Sequence, residues 1–318
     1  MYPYSLSQWL FLFYFYCFLG WCVESTHVSI RQKPPHWVNR GFMRGPFLPL
    51  YGSGAIMMLV VSAPFQHNLF LTYVAGCIGA TILEYITGVM MEVLFKVRYW
   101  DYSNQPFNFQ GYICLGTTLA WGGLTILMTR IIHKPIEGLL YMIPFNLLSV
   151  VVFILTVFIA ADFALSFRAA LDIRDILLAM EKVKEEMAHM QKRLDVIAAV
   201  TGEEIGQYRS AAEMRIEELV TDIEDRLHRM KEWAGLHPGE YLESAKNEAI
   251  EIRDRFMNAR YHASQLKTVR EHWKRGMILG NPTMRGSKKV RYSLEELKEA
   301  VKEKLNLNFI NNEKGQRQ

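Results

Sequence analysis

Charge is scarce in the first half of the chain. Residues 1–165 carry only Arg31, Lys33, Arg40, Arg44, Lys96, Arg98, Arg130 and Lys134 among 36 basic residues, and only Glu24, Glu84, Glu92, Asp101, Glu137 and Asp162 among 32 acids. A stretch this apolar excludes a soluble domain, and the charge density of 166–318 excludes burial in lipid, so the mean hydropathy of +0.03 averages two unlike halves. Each half has a small positive excess, so no basic concentration argues for a nucleic-acid partner. Cysteine is scarce too. Cys17, Cys22, Cys77 and Cys114 form no CxxC pair and none lies in the charged half, which excludes a disulfide framework or zinc site and fits a reducing compartment there. No basic n-region precedes the apolar run Leu6–Val23, and the run meets Glu24 rather than a small-residue cleavage site, so it reads as a helix and not a signal peptide. No GxxxxGK[ST] loop occurs, so the chain is not itself an ATPase. The charged half has no catalytic serine, His/Asp constellation or metal-ligand spacing; His189, His228 and His262 are isolated. No cofactor is expected.

What remains in the first half are runs long enough to cross about 30 Å of hydrocarbon, which takes about 20 residues as helix. Five passes are expected, at about 6–28, 47–64, 69–95, 111–130 and 138–162. The second is the least regular, because Gly45-Pro46, Pro49 and Gly52-Ser53-Gly54 break its start; a re-entrant segment is its alternative. Five passes put the loops bearing Arg31, Lys33, Arg40, Arg44, Lys96 and Arg98 on one side with the charged half, and Arg130 and Lys134 on the other. The positive-inside rule then makes the N-terminus external and the C-terminal half cytoplasmic, in a multi-pass protein of the plasma membrane. Trp37, Tyr99, Trp100, Tyr102 and Tyr112 fall where an inner aromatic belt would lie.

Polar residues inside the apolar half are the candidates for function. On the third pass, Gly76, Ala80, Glu84, Gly88 and Glu92 recur every four residues, a ridge of small residues with two acids set into it. At 1.5 Å per residue Glu84 lies roughly 16 Å from the cytoplasmic end. A midplane carboxylate costs about 2.5–3.5 kcal/mol or more, so it should face protein or water, as a proton, ion or substrate ligand or as a packing residue. The first pass, with Gly20 and Glu24, is the expected neighbour. Glu24, Asn39, Arg40, Arg44, Glu92, Arg98, Trp100, Asp101, Tyr102 and Asn108 gather at the cytoplasmic interface. They read either as an ion-pair network fixing the loops or as a basic pocket for an anionic headgroup or phosphate. Trp100, Phe107 and Trp121 read as interfacial anchors.

The segments FLGWCVES (18–25), NRGFMRGPFLPLYGSGA (39–55), LEYITGVMMEVLF (83–95) and RYWDYSNQPFNFQGYICLG (98–116) resemble a family of bacterial multi-pass proteins named as putative ABC transporter permeases. The resemblance covers about 9–165, with an echo at NPTMRGSKK (281–289). It implies a helical membrane domain in a transport system whose ATP-binding subunit is a separate chain; no permease-type EAA coupling loop is found.

The charged half is heptad-patterned. Ile173, Ile176, Met180, Val183, Met187, Met190, Leu194 and Ile197 form one stripe. Ala212, Ile216, Leu219, Ile223, Arg226, Met230 and Trp233 form a second, after Gly202 and Gly206. Ala245, Ala249, Ile252, Phe256, Ala259, Ala263 and Leu266 form a third beyond GLHPG (235–239), where an antiparallel hairpin or a second protomer could pair them. Residues 276–292 read as a basic loop, either a solvated linker or a contact for anionic lipid through Arg285, Lys288, Lys289 and Arg291. Ser293 with Glu296 reads as a capping box for a helix to about Leu305, and the rest as a frayed tail. The expected fold is therefore all-α: a polytopic bundle over 1–165, a cytoplasmic coiled-coil-like region over 166–275, and a loop, short helix and tail over 276–318. Three functions fit: a transport component, with the bilayer, a second copy and a separate ATP-binding subunit as partners; a membrane enzyme for an anionic lipid or phosphate; or an assembly factor working through its cytoplasmic helices.

Overall fold

The computed structural model describes residues 2–31, 37–200, 240–266 and 272–315. The second heptad stripe, the GLHPG turn, His228 and Lys33 lie outside the described residues. Two compact units emerge. One comprises Met1–Asp175 with Val269–Gln318, and the other is the inserted segment Ile176–Thr268.

The first unit is built on helices α1 (Leu6–Arg31), α2 (Pro49–Ser62), α3 (Leu69–Phe95), α4 (Leu115–Leu127), α5 (His133–Met142) and α6 (Phe145–Val200). Four helical stretches are long and apolar enough to cross a membrane: Leu6–Arg31, Leu69–Phe95, Leu115–Met142 and Phe145–Met190. Their outward faces are apolar, with Phe70, Phe153 and Phe158 each 70% exposed or more, a surface suited to lipid and not to water.

The second expected pass differs. The α2 helix has 14 residues, followed by a 3₁₀ turn at Ala63–Phe65. Fourteen residues span about 21 Å, short of the hydrocarbon thickness. Irregular chain precedes α2. The Val38 amide donates to Ser29 Oγ (2.8 Å), the Arg40 amide to Ser25 Oγ (3.2 Å) and the Leu48 amide to the Cys17 carbonyl (3.1 Å). Residues 38–48 thus climb beside α1 for twelve of its residues, about 18 Å, before Pro49 opens α2 at the position where its missing N–H costs nothing. On the other side the Gly45 amide donates to Asp162 Oδ2 (2.9 Å) and the Arg44 amide to Ser166 Oγ (3.2 Å), both on α6. These side chains satisfy irregular backbone that has no helical partner of its own.

This broken pass changes the helix order. The first pass was expected to touch the third; instead α2 packs against both α1 and α3, and α3 packs most extensively on α4. Close approach explains the glycines. A Cβ on Gly52 would sit 2.3 Å from Cys17 Sγ on α1, and one on Gly76 would sit 2.2 Å from Thr125 Oγ1 on α4.

The fourth pass also runs longer than expected. A π-turn at Met128–Ile132 joins α4 to α5, so Arg130 and Lys134 lie within helix and the break falls at Ile143-Pro144. The wide turn just before Pro135 loosens the ladder where the proline ring would clash.

Residues 276–292 are not a solvated linker. The α8 helix (His272–Gly280) leads into a strap in which strand β4 (Arg285–Gly286) pairs antiparallel with β1 (Val97–Arg98) after α3. The last helix, α9, runs over Arg291–Gly315; it starts two residues before Ser293, which stands in its first turn and not at its cap, and extends past Leu305. Ile278, Met284, Val290, Leu294 and Leu297 are buried and form the strap's own core. The insertion leaves and returns through one neck, because Lys274 Nζ on α8 lies 2.8 Å from Asp172 Oδ2 on α6.

The inserted unit contains the end of α6 and helix α7 (Glu240–Leu266). In it Leu177 and Met180 of α6, and Ile252, Phe256 and Ala259 of the third stripe, are buried, and Arg193 Nη2 lies 2.5 Å from Glu248 Oε1.

Gly76→Ala places a methyl group against Thr125 and is expected to cost about 1–3 kcal/mol by overpacking. Its thermal midpoint in detergent should fall by several degrees. Gly138→Ala is the control, since a Cβ there meets nothing within 4 Å and the midpoint should hold.

Candidate functional site

A cavity of about 480 Å³ lies between the 40–53 segment, α3, α4 and α6. Its walls are mainly apolar, from Phe42, Leu48, Met91, Leu94, Phe95 and Phe167. Among its lining residues only Met90 on α3 (50%) and Phe163 on α6 (44%) are exposed, so the mouth lies between those two helices.

Two carboxylates reach the cavity. Glu84, 5% exposed, accepts from Tyr102 Oη at 3.1 Å and from Trp121 Nε1 at 3.0 Å. The four-residue ridge thus turns its acid inward, toward α4 and the 99–112 loop. Glu24 accepts from Tyr51 Oη (2.5 Å), and its other oxygen faces Arg40 Nε at 3.8 Å. Tyr51 stands in the first turn of α2, where the helix dipole favours negative charge.

Arg40 is fastened to the strap, donating to Asn281 Oδ1 (3.1 Å), Thr283 Oγ1 (3.1 Å) and the Gly280 carbonyl (3.4 Å). Asn281, 1% exposed, donates in turn to the Gly41 carbonyl (2.9 Å) and also lines the cavity. Close contact requires glycine here: a Cβ on Gly280 would sit 2.4 Å from the Asn39 carbonyl oxygen.

Beside the cavity lies a second network. Arg98 Nε pairs with Glu92, which also accepts from Tyr112 Oη (2.6 Å), while the guanidinium lies 4.5 Å over the Tyr112 ring. Arg98 Nη1 is 3.9 Å from Asp101, whose other oxygen accepts from Arg285 Nη1 of the strap at 2.9 Å. Gly111, at φ +75°, closes this corner; a Cβ there would meet Ser103 Oγ at 2.5 Å and Asp101 Oδ1 at 2.9 Å. Burial by itself would raise the Asp101 carboxyl, but hydrogen bonds from the Ser103 hydroxyl and amide and from Arg285 outweigh it and hold the group below the usual carboxylate range. Burial, reinforced by the neighbouring Glu84, pushes the Tyr102 hydroxyl up, which keeps it a donor.

Of the expected cluster, Glu24, Arg40, Glu84, Trp100 and Tyr102 line the cavity, and Glu92, Arg98 and Asp101 form the adjacent network. The other three lie elsewhere. Arg44 donates to the Leu165 carbonyl (3.4 Å), Asn39 accepts from Trp21 Nε1 (2.6 Å), and Asn108 caps the turn between the two-residue strands β2 (Asn108–Phe109) and β3 (Ile113–Cys114). Sequence reasoning missed Tyr51, Asn281, Thr283 and Arg285 as partners and read Trp121 as an anchor. The echo at NPTMRGSKK was the one signal pointing to the strap.

A family model described as "Putative ABC-transporter type IV" matches over 11–167, the segment that contains Glu24, Arg40, Glu84 and the 98–112 loop. Residues 11–167 belong to that family. No curated protein and no solved structure matches the chain. The family segment ends on α6, so the strap that completes the cavity lies outside it.

A further polar group, also missed, sits at the opposite end of the bundle. His133, 1% exposed, lies 2.9 Å from Tyr4 Oη through Nε2 and 2.7 Å from Tyr16 Oη through Nδ1. Tyr4 also donates to Glu137, and Arg130 to the Gln66 carbonyl.

A carboxyl held low in the folded state stabilises at pH above its unfolded value, about 3.9, and loses that effect as pH falls through the folded value. Strap docking through Asp101 should therefore be constant from neutral pH down to that range and weaken below it. The Ser287 amide, which donates to the Lys96 carbonyl at 2.8 Å, reports on docking. Asp101→Asn should cut its hydrogen-exchange protection about two- to fivefold at neutral pH, the scale of a partly exposed ion pair, and abolish the acid-dependent loss.

Proposed function

We propose that the chain is the membrane-embedded component of a transport system and that the cavity is its substrate site. The observation that carries this reading is Glu84: a buried acid at the floor of an apolar cavity whose mouth opens between two membrane-length helices. Intramembrane acids cost enough that they mark substrate, ion or proton pathways. Transport sites also recur where a helical pass is interrupted and irregular backbone lines the cavity, as residues 38–48 do. Family membership of 11–167 supports the same reading.

In this reading the end bearing Arg31, Arg40, Arg44, Lys96 and Arg98 faces the cytoplasm, with the strap and the inserted helices, and the N-terminus is external. The broken second segment, a half-length helix continued by chain, completes five traverses. The seams of α6 and α7 pair as an antiparallel cytoplasmic hairpin. The sequence carries no phosphate-binding loop, so an ATP-binding subunit joins in trans, and its co-isolation with the tagged chain from detergent would identify it. An anion-binding enzyme fits less well, because Arg40, Arg44 and Arg98 all donate to acceptors of the chain itself.

The test is complementation of a deletion strain, read by small-molecule profiles of cells and medium. Wild type should restore the profile. Glu84→Gln, and Leu94→Trp in the cavity wall, should each fail at equal membrane abundance. Full restoration by both variants would refute the assignment.

A further inference from the structure

The cavity's charge does not balance, and the imbalance has a sign. Arg40 is matched by Glu24 at 3.8 Å, and its other donors go to Asn281, Thr283 and Gly280. Glu84 has only neutral hydrogen-bond partners, Tyr102, Trp121 and Thr117, and among the described residues no lysine, arginine or histidine forms an ion pair with it. One carboxylate is therefore left without a counter-charge in a space walled by apolar and aromatic side chains.

Resting on the reading of this cavity as a substrate site, we propose that it takes an amphipathic organic cation, with Glu84 as counter-ion to the cationic head and the apolar body lying toward the mouth between α3 and α6. Each part of the ligand has a reason. The head is cationic because an unpaired charge in low dielectric is costly and an opposite charge removes that cost. It is organic because the indoles Trp100 and Trp121 line the cavity beside Glu84, and aromatic rings attract weakly hydrated cations. A bare metal ion would need several oxygen ligands, and the described residues hold no group of three or more His, Cys, Asp or Glu able to bind one. The body is apolar because Met90, Met91, Leu94, Phe163 and Phe167 form the route from lipid to Glu84, and the methionines adapt to varied shapes. About 480 Å³ suits a drug-sized molecule. An anionic amphiphile would bring a second negative charge beside Glu84.

Tetraphenylphosphonium and tetraphenylborate test the charge alone, since they share a shape and differ in sign. The full chain in zwitterionic nanodiscs, with empty nanodiscs as blank, should bind the phosphonium saturably and the borate not at all. Glu84→Gln should weaken phosphonium binding tenfold or more, Glu84→Asp should retain it within a few fold, and Leu94→Trp should block it. Equal binding of the borate, blocked by Leu94→Trp, would overturn the cation assignment and leave the cavity as a substrate site. Phosphonium binding unchanged in Glu84→Gln would overturn the counter-ion role. No saturable binding of either probe would overturn the cation assignment and the substrate-site reading together.

Discussion

Backbone polar groups inside a hydrocarbon layer must find partners within the protein, and the structure is organised around one segment that cannot do so alone. Residues 38–48 are not helical, yet they run beside the C-terminal half of α1. Their amides are satisfied sideways, by Ser25, Ser29 and the Cys17 carbonyl on one flank and by Asp162 and Ser166 on the other. Because this stretch bends and does not fill a helix's cylinder, it leaves a cavity that Phe42, Leu48 and Glu84 line. The cavity is thus the geometric consequence of a pass that is helix for one part and bare chain for the rest.

That segment still needs a cover at its end, and the strap provides one. Asn281 and Thr283 tie Arg40, Arg285 ties Asp101, and β4 pairs with β1. The strap follows the inserted helices in sequence, and the neck of the insertion is pinned by the Lys274–Asp172 ion pair. The partner residues joined by the strap stand some 180 to 240 positions apart, which is why the linker reading failed. Turn chemistry at Asn281-Pro282 is local information, and it cannot reveal a docking surface supplied by Arg40.

Other features were legible for equally physical reasons. Glu84 could be placed because a period of four small residues fixes a helical face whatever packs on it, and an acid on that face has to point inward. What packs on it could not be read. The ridge meets α4 and the broken pass, not α1, because α2 is a short wedge held between α1 and α3 through Gly20, Gly52 and Gly79. The end of the fourth pass was misplaced because Arg130, Lys134 and Pro135 look like a loop. Arg130 is accommodated by the Gln66 carbonyl and the proline by the π-turn, so Pro144 ends the helix instead.

The opposite end of the bundle solves the same desolvation problem differently. Tyr4 has one hydroxyl proton and gives it to Glu137, so toward His133 Nε2 it can only accept. Nε2 must then carry the imidazole proton, and a neutral ring leaves Nδ1 as acceptor for the Tyr16 hydroxyl. The hydrogen bonds run in one direction, Tyr16 to His133 to Tyr4 to Glu137, with each ring nitrogen and both hydroxyl protons assigned. A histidine at 1% exposure needs no counter-charge under those conditions. The contrast with Glu84 is one of burial. The far chain of hydrogen bonds ends on Glu137, a carboxylate with partial access to the surface, whereas Glu84 is buried and has its hydrogen bonds but no ion pair.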